Sequence, residues 1–172
     1  MSTFHITGGR FSHCQFGDTV GDGAAPAESP VELPDGSDFD VFLCYNPKDR
    51  DAVRDVAAQL RARSVRPWFD EWALRPGVSR QREIARTIQV VASAAVFVGN
   101  EGIAPWQEME TEALIRRLVV QHRHVIPVLL PTAAARPALP LFLEGQVWVD
   151  LRDGAAALDR LVWGITGCIP VP

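Results

Sequence analysis

Cysteine is scarce in this chain, and the little present does not pair. Cys14, Cys44 and Cys168 are odd in number and widely spaced, with no CxxC and no zinc-type spacing. That leaves no basis for a disulfide framework or a sequence-readable zinc site. Cys44 lies inside an apolar run, where a thiol behaves as a small hydrophobe. The pattern points to a reducing, cytoplasmic setting. Charge of one sign is not in excess either. A net charge of −4 gives no footing for direct nucleic-acid binding or for an anionic membrane surface. No apolar stretch reaches the roughly 18 residues a membrane helix needs, and no charged start followed by an apolar stretch marks a signal peptide. No GxGxxG follows a candidate strand, which disfavours a Rossmann dehydrogenase. Internal repeats are absent.

The chain does have the means for a core. Its 172 residues are 47% hydrophobic, enough for one ordinary globular domain. Gly21 to Ser37 is rich in Gly, Ala, Pro and acids, with Pro26, Pro30 and Pro34 breaking any regular element, so 21–37 reads as a flexible linker. Ahead of it, residues 1–20 hold a small β motif. Phe4 and Ile6 alternate, and Gly8-Gly9 can close a hairpin. So short a hairpin is marginal alone, so it is expected to dock or to pair with copies of itself. His5, His13 and Cys14 lie close in sequence, but a fourth ligand is missing and no metal is expected there.

From Asp38 onward strands alternate with helices. Phe39–Cys44 is a first apolar strand. Asp49–Arg63 carries Val53, Val56, Ala57 and Leu60 at i, i+3, i+4, i+7 spacing, which marks an amphipathic helix. Val65–Phe69 is a second strand, and Asp70–Val78 a loop with Pro76-Gly77. Ser79 caps the next helix, with Ile84, Ile88 and Val91 inward. Ser93–Val98 is a third strand and Val125–Leu130 a fourth. Pro131–Pro140 is a loop, Gln146–Leu151 a short fifth strand, and Ala155–Ile165 a last helix. Such alternation implies a parallel sheet covered on both faces. Residues 38–167 make that domain and 168–172 a tail.

The third strand leads through Gly99–Pro105 into a helix over Trp106–Gln121. Trp106 and Glu110 are then one turn apart on one face, at the carboxyl end of a strand, where open α/β sheets bind ligands. Glu108 and Glu112 share another face, about 160° away on ideal geometry, and read as solvated charges. His122-Arg123-His124 reads as a favourable helix end against the dipole.

These segments resemble a TIR (Toll/interleukin-1 receptor) domain in family order over residues 38–167. Phe39-Asp40-Val41-Phe42-Leu43-Cys44-Tyr45-Asn46, then Lys48-Asp49, resembles the opening strand and loop. Pro67-Trp68-Phe69-Asp70-Glu71-Trp72-Ala73-Leu74-Arg75-Pro76-Gly77 resembles the second strand and BB loop. Ala94 to Glu110 resembles the third strand and the Trp-x-x-x-Glu helix. Val125-Ile126-Pro127-Val128-Leu129-Leu130 and Trp163-Gly164-Ile165-Thr166-Gly167 are similar to the bacterial branch. Two positions depart from it. The helix after the BB loop begins Ser79-Arg80-Gln81, not Trp-Gln, and Cys44 and Asn46 stand where Ser is common. Arg80 is either a phosphate contact or a surface charge.

The resemblance implies a flavodoxin-like fold with five parallel strands. It also implies cleavage of the nicotinamide–ribose bond of NAD, with Glu110 at the catalytic position. Tyr45, Asn46, Trp72, Leu74, Arg75 and Trp106 would line the pocket. Asp70, Glu71, Trp72, Ala73, Leu74, Arg75, Pro76 and Gly77, as the BB loop, would gate it and pack on neighbouring copies. A separate sensor protein and a role in anti-phage defence are implied in the same way. NAD+ would be the substrate, with no cofactor and no metal. The chemistry agrees: bond cleavage builds oxocarbenium-like charge on the ribose, and a carboxylate stabilises it. Nicotinamide leaves a cationic pyridinium as a neutral molecule, so one glutamate suffices. Tyr45, Trp72 or Trp106 can offer an aromatic face; Tyr45 and Trp72 can equally serve only to pack. The rival reading is a non-catalytic TIR adaptor. A receiver domain would need an acidic pair after the first strand, and a flavodoxin a phosphate loop; Cys44-Tyr45-Asn46 is neither.

Overall fold

The strand residues of this chain divide cleanly between two cores. Val41 and Leu43 pack in one cluster and Phe42 and Cys44 in the other, as the two-residue period of a strand demands. The computed structural model describes residues 38–102, 109–134, 137 and 139–169. The small motif and linker expected over 1–37 lie outside these residues, as does Trp106.

Five strands form one sheet: β1 Val41–Cys44, β2 Pro67–Trp68, β3 Ser93–Val98, β4 His124–Leu129 and β5 Val149–Asp150. Their order is β2-β1-β3-β4-β5, and every neighbouring pair is parallel. The central strands β1 and β3 are buried along their whole length, which is why they read as unbroken apolar runs. The helices are α1 Arg50–Ala62, α2 Asp70–Ala73, α3 Arg80–Val90, α4 Met109–Val120, α5 Leu141–Glu144 and α6 Ala155–Thr166. Three-residue 3-10 turns stand at Pro47–Asp49 and Leu151–Asp153.

The first cluster joins Val53, Val56, Ala57 and Leu60 of α1 to Ala157, Leu158, Leu161 and Ile165 of α6. The second joins Ile84 and Ile88 of α3 to Ile115 and Leu118 of α4. The chain steps from β1 to β2 in one direction and then back across to β3. With right-handed crossovers, that reversal puts α1 and α3 on opposite faces. Full burial of each Val or Leu in these stripes contributes about 1.5–3 kcal/mol, so the helices are held by packing more than by propensity. α6 also leaves Gly164 against Ile126, where a Cβ would lie 2.9 Å from the Ile126 Cδ1.

Several expected bounds are corrected. The strands expected at Phe39–Cys44, Val65–Phe69 and Gln146–Leu151 are shorter, at Val41–Cys44, Pro67–Trp68 and Val149–Asp150. Apolarity extends past the last ladder bond: Val65 and Phe69 are buried without pairing. Asp70–Val78 is not wholly a loop, since Asp70–Ala73 makes a helical turn. Leu141–Glu144 is a second unanticipated turn. His124 belongs to β4, and His122 adopts the left-handed conformation (φ 55°) that ends α4. Ser79 caps α3 as expected, accepting the Arg82 N–H at 3.5 Å.

Candidate active site

The reversal of strand order falls between β1 and β3, so their carboxyl ends open the crevice where doubly wound sheets take ligands. One wall is the segment after β1, Tyr45 to Asp49. Asn46 caps the 3-10 turn there, its Oδ1 accepting the Lys48 N–H at 3.0 Å. The other wall begins at Gly99 after β3, where the Gly102 N–H donates to the Gly99 carbonyl at 3.0 Å. An exposed ion pair, Lys48 to Glu101 at 3.0 Å, spans the two walls; such pairs contribute little to stability. From this second wall the chain runs to α4, and Glu110 is the second residue of that helix.

Behind Tyr45 stands a polar network. Asp70 is buried, at 8% exposure. Its carboxylate accepts the Tyr45 hydroxyl, the Glu71 N–H at 2.8 Å and an Arg80 N–H at 3.2 Å. A buried carboxylate is tolerable only with such donors. Burial, and then the hydrogen bond to Asp70, hold the Tyr45 phenol well above its ordinary pKa, so it remains a neutral donor. Cys44, beneath it, is pushed up to about 12 by burial, partly offset by the Arg80 charge. Its thiol is therefore inert packing at neutral pH.

Asp49 behaves differently. It stands at the N-cap of α1 yet makes no side-chain cap bond. Its carboxylate lies instead against Gly99, where an added Cβ would collide with both oxygens. Its Oδ2 is buried without a hydrogen-bond partner among the described residues. Burial, then the negative charge of Glu101, raise its pKa. Gly99 is thus glycine because a carboxylate occupies the space of its side chain.

The segment over Asp70–Gly77 folds across the β2 edge of the sheet. On one side Trp72 stacks edge-on against Phe69 at 5.0 Å, with the Arg61 guanidinium 3.9 Å above its ring. Glu71 is held to α1 by Arg54, at 2.8 Å. On the other side Ala73 and Leu74 pack against the second core. Arg75, Pro76 and Gly77 are exposed, and Gly77 adopts φ +89°. Among the expected site residues the structure therefore brings Tyr45, Asn46 and Asp70 together at the end of β1. It sets Trp72 beside α1, one aromatic further along the row Tyr45–Phe69–Trp72. The Trp106–Glu110 face lies outside what the described residues cover.

Sequence reasoning passed over Asp49, Arg50 and Gly99 as site residues. The signal for Asp49 was weak: an acidic residue at a helix start normally reads as a cap. The charge of Arg50, which no spacing rule places near Tyr45, works against the raised pKa of that phenol. Among the described residues no group of three or more His, Cys, Asp or Glu could hold a metal. No helix among them is long and apolar enough to cross a membrane.

Topology defines a doubly wound α/β domain whose strand order reverses between β1 and β3. A family model described as TIR domain matches residues 41–162, and the chain belongs to that family. It is 27% identical over 97 residues to the NAD(+) hydrolase TcpA of a Theionarchaea archaeon, covering 53% of this chain and 28% of that protein. It is 25% identical over 103 residues to the 2′ cyclic ADP-D-ribose synthase BtTIR of Bacteroides thetaiotaomicron, covering 58% and 36%. AbTIR of Acinetobacter baumannii, named for the same synthase activity, is 26% identical over 93 residues, covering 53% and 35%. The matched part is thus about a third of each of these relatives. Solved structures agree on the fold. A TIR-STING receptor from C. gigas superposes with a TM-score of 0.64 at 18% identity, over 80% of this chain and 42% of that one. The TIR domain of the Toll-related receptor TRR-2 from Hydra magnipapillata gives 0.54 at 18%, over 73% and 95%.

Proposed function

We propose that this chain is an NAD+ nucleosidase, cleaving the nicotinamide–ribose bond to release nicotinamide with ADP-ribose or a cyclic form of it. The observation that carries the reading is the place of Glu110, second residue of the helix that follows β3, beside the point where strand order reverses. The names of the archaeal hydrolase and the two bacterial synthases support it. In this reading Glu110 stabilises the positive charge that builds on the ribose ring. Tyr45, kept neutral, donates rather than accepts. Trp106 and Trp72 offer aromatic surface, and Asn46, Leu74 and Arg75 complete the pocket edge. NAD+ is the substrate, and the mechanism needs neither cofactor nor metal. The segment 70–77 serves contacts between copies, a separate sensor supplies the trigger, and the setting is cytoplasmic defence against phage.

The test is incubation of concentrated protein with NAD+, the products being separated by chromatography. Glu110→Ala should lower nicotinamide release by about 100-fold or more, the usual cost of losing a transition-state electrostatic partner, with an unchanged melting curve. Glu108→Ala should have a far smaller effect. Equal rates for wild type and Glu110→Ala in an active preparation would remove Glu110 from the chemistry.

A further inference from the structure

The amino ends of β1 and β2 border an open groove of about 290 Å³. Phe39, Val65 and Pro67 give it an apolar floor, and Arg61 and Arg66 stand at its rim. Val65 and Pro67 are buried and Phe39 is half-buried, while both arginines are exposed. The arginines differ in their commitments. The Arg66 guanidinium is held by Asp40 at 2.7 Å. The Arg61 guanidinium lies 3.9 Å above the Trp72 ring and makes no ion pair among the described residues. Asp38 also lines the groove, so the chain ahead of it is covalently joined to the groove wall. That chain is acidic. Residues 1–37 carry Asp18, Asp22, Glu28, Glu32 and Asp35 against Arg10 alone, which accounts for the whole net charge of −4 and leaves 38–172 neutral.

We propose that residues 31–35 of this same chain, which lie outside the described residues, are the occupant of the groove. The local sequence is Pro30-Val31-Glu32-Leu33-Pro34-Asp35-Gly36. In an extended chain Val31 and Leu33 face the same way, toward the apolar floor, and Glu32 between them meets Arg61 at the rim. Pro34 biases Leu33 toward the extended backbone, which lowers the entropy lost on docking. Asp35-Gly36 is a turn signal and lets the chain fold back over Phe39. Leu33 is five residues from Asp38, a reach of up to about 16–18 Å. Tethering at that distance gives an effective concentration in the millimolar range, so a small contact suffices. Arg61 then carries a carboxylate on one side and Trp72 on the other, and the docked residues become a further clamp on the 70–77 segment. Residues 21–30 remain as the tether of the N-terminal motif. The inference stands apart from the nucleosidase reading and needs no turnover to be tested.

The experiment is nuclear magnetic resonance on the full chain, labelled with nitrogen-15. Mobility is the readout, because a five-residue contact adds little to the melt of a domain with two core clusters. In wild type the amides of Val31, Glu32, Leu33 and Asp35 should have order parameters near the rigid value of about 0.85, with residues 22–27 below about 0.6. Leu33→Ser should bring 31–35 down to the level of 22–27 and shift the amide signals of Ser64, Val65 and Arg66. Arg61→Glu should free the segment in the same way, and adding Glu32→Arg to it should restore the order. Arg82→Glu, at an exposed arginine of α3 outside the groove, should change nothing. The linker variants alter no described residue, so they report whatever Arg61→Glu does to Trp72. Residues 31–35 as mobile as 22–27 in wild type overturn the proposal. So does order that survives Arg61→Glu, or a Leu33→Ser that leaves the groove amides unmoved. Order lost on about tenfold dilution would put a second copy's segment in the groove and overturn the assignment to the same chain.

Discussion

A buried carboxylate oxygen without a donor costs free energy, and Asp49 carries one at the mouth of the crevice. Its raised pKa fixes the sign of the effect. A carboxylate whose folded pKa lies above its unfolded value destabilises the fold wherever it is ionised. The cost fades as pH falls through the folded pKa and is gone below the ordinary 3.8. Asp49→Asn should therefore melt above wild type at pH 7, and the difference should vanish below 3.8. An advantage that grows toward acid would contradict the assignment. Gly99→Ala should cost about 1–3 kcal/mol, the usual range for overpacking, because its Cβ meets the Asp49 carboxylate. In an Asp49→Ala background that cost should largely disappear. A double-mutant cycle on thermal melts reads this coupling directly; equal costs in both backgrounds would show that the two residues do not touch.

Among the elements, the segment over 70–77 combines rigid and exposed parts. Its first half is clamped: Glu71 by Arg54, Trp72 by Phe69 and Arg61, Leu74 by the second core. Its second half, Arg75 to Gly77, stands in water, ending on a glycine at φ +89° that other residues rarely adopt. An exposed tip on a firm base suits a contact between copies, and Trp72 is itself 37% exposed. If assembly completes the site, specific activity should rise with protein concentration. Trp72→Ala and Gly77→Pro should both flatten that rise. Trp72→Ala should also cost about 1–2 kcal/mol through the lost aromatic and cation–π contacts. A rate strictly proportional to enzyme over about a hundredfold dilution, where mass action would dissociate any assembly, together with a monomer by light scattering, would refute it.

At the scale of the whole molecule, the described residues make two core clusters spanning 41–165. Deleting residues 1–37 should therefore leave the thermal melt nearly unchanged. The composition of 21–37 gives a tether of roughly 20–25 Å r.m.s. reach for a flexible coil. Phe4, Ile6, Phe11 and Phe16 supply apolar surface that so short a motif cannot bury alone. The same deletion should lower self-association or the response to the trigger, measured by light scattering and by the concentration dependence of nicotinamide release. A deletion that unfolds the domain would place this segment in the core and overturn the division of the chain. Unchanged assembly and activity would remove it from self-association.

The sequence by itself determined the periodic elements. The i, i+3, i+4, i+7 stripe of α1, the Ser79 cap of α3 and the apolar runs of β1, β3 and β4 are local patterns, and local patterns survive folding. It also determined the alternation that makes the sheet parallel, and it marked Glu110, because one strand–turn–helix passage carries that residue. Tertiary structure alone decided where strands stop, since Val65 and Phe69 are as apolar as paired residues yet lie beyond the ladder. It decided that Trp72 meets α1, that Asp49 abandons its cap for Gly99, and that Arg80 and Tyr45 converge on Asp70. Those contacts join residues from α1, α3 and the ends of β1, β2 and β3. Their geometry comes from the sheet order, which no stretch of sequence contains.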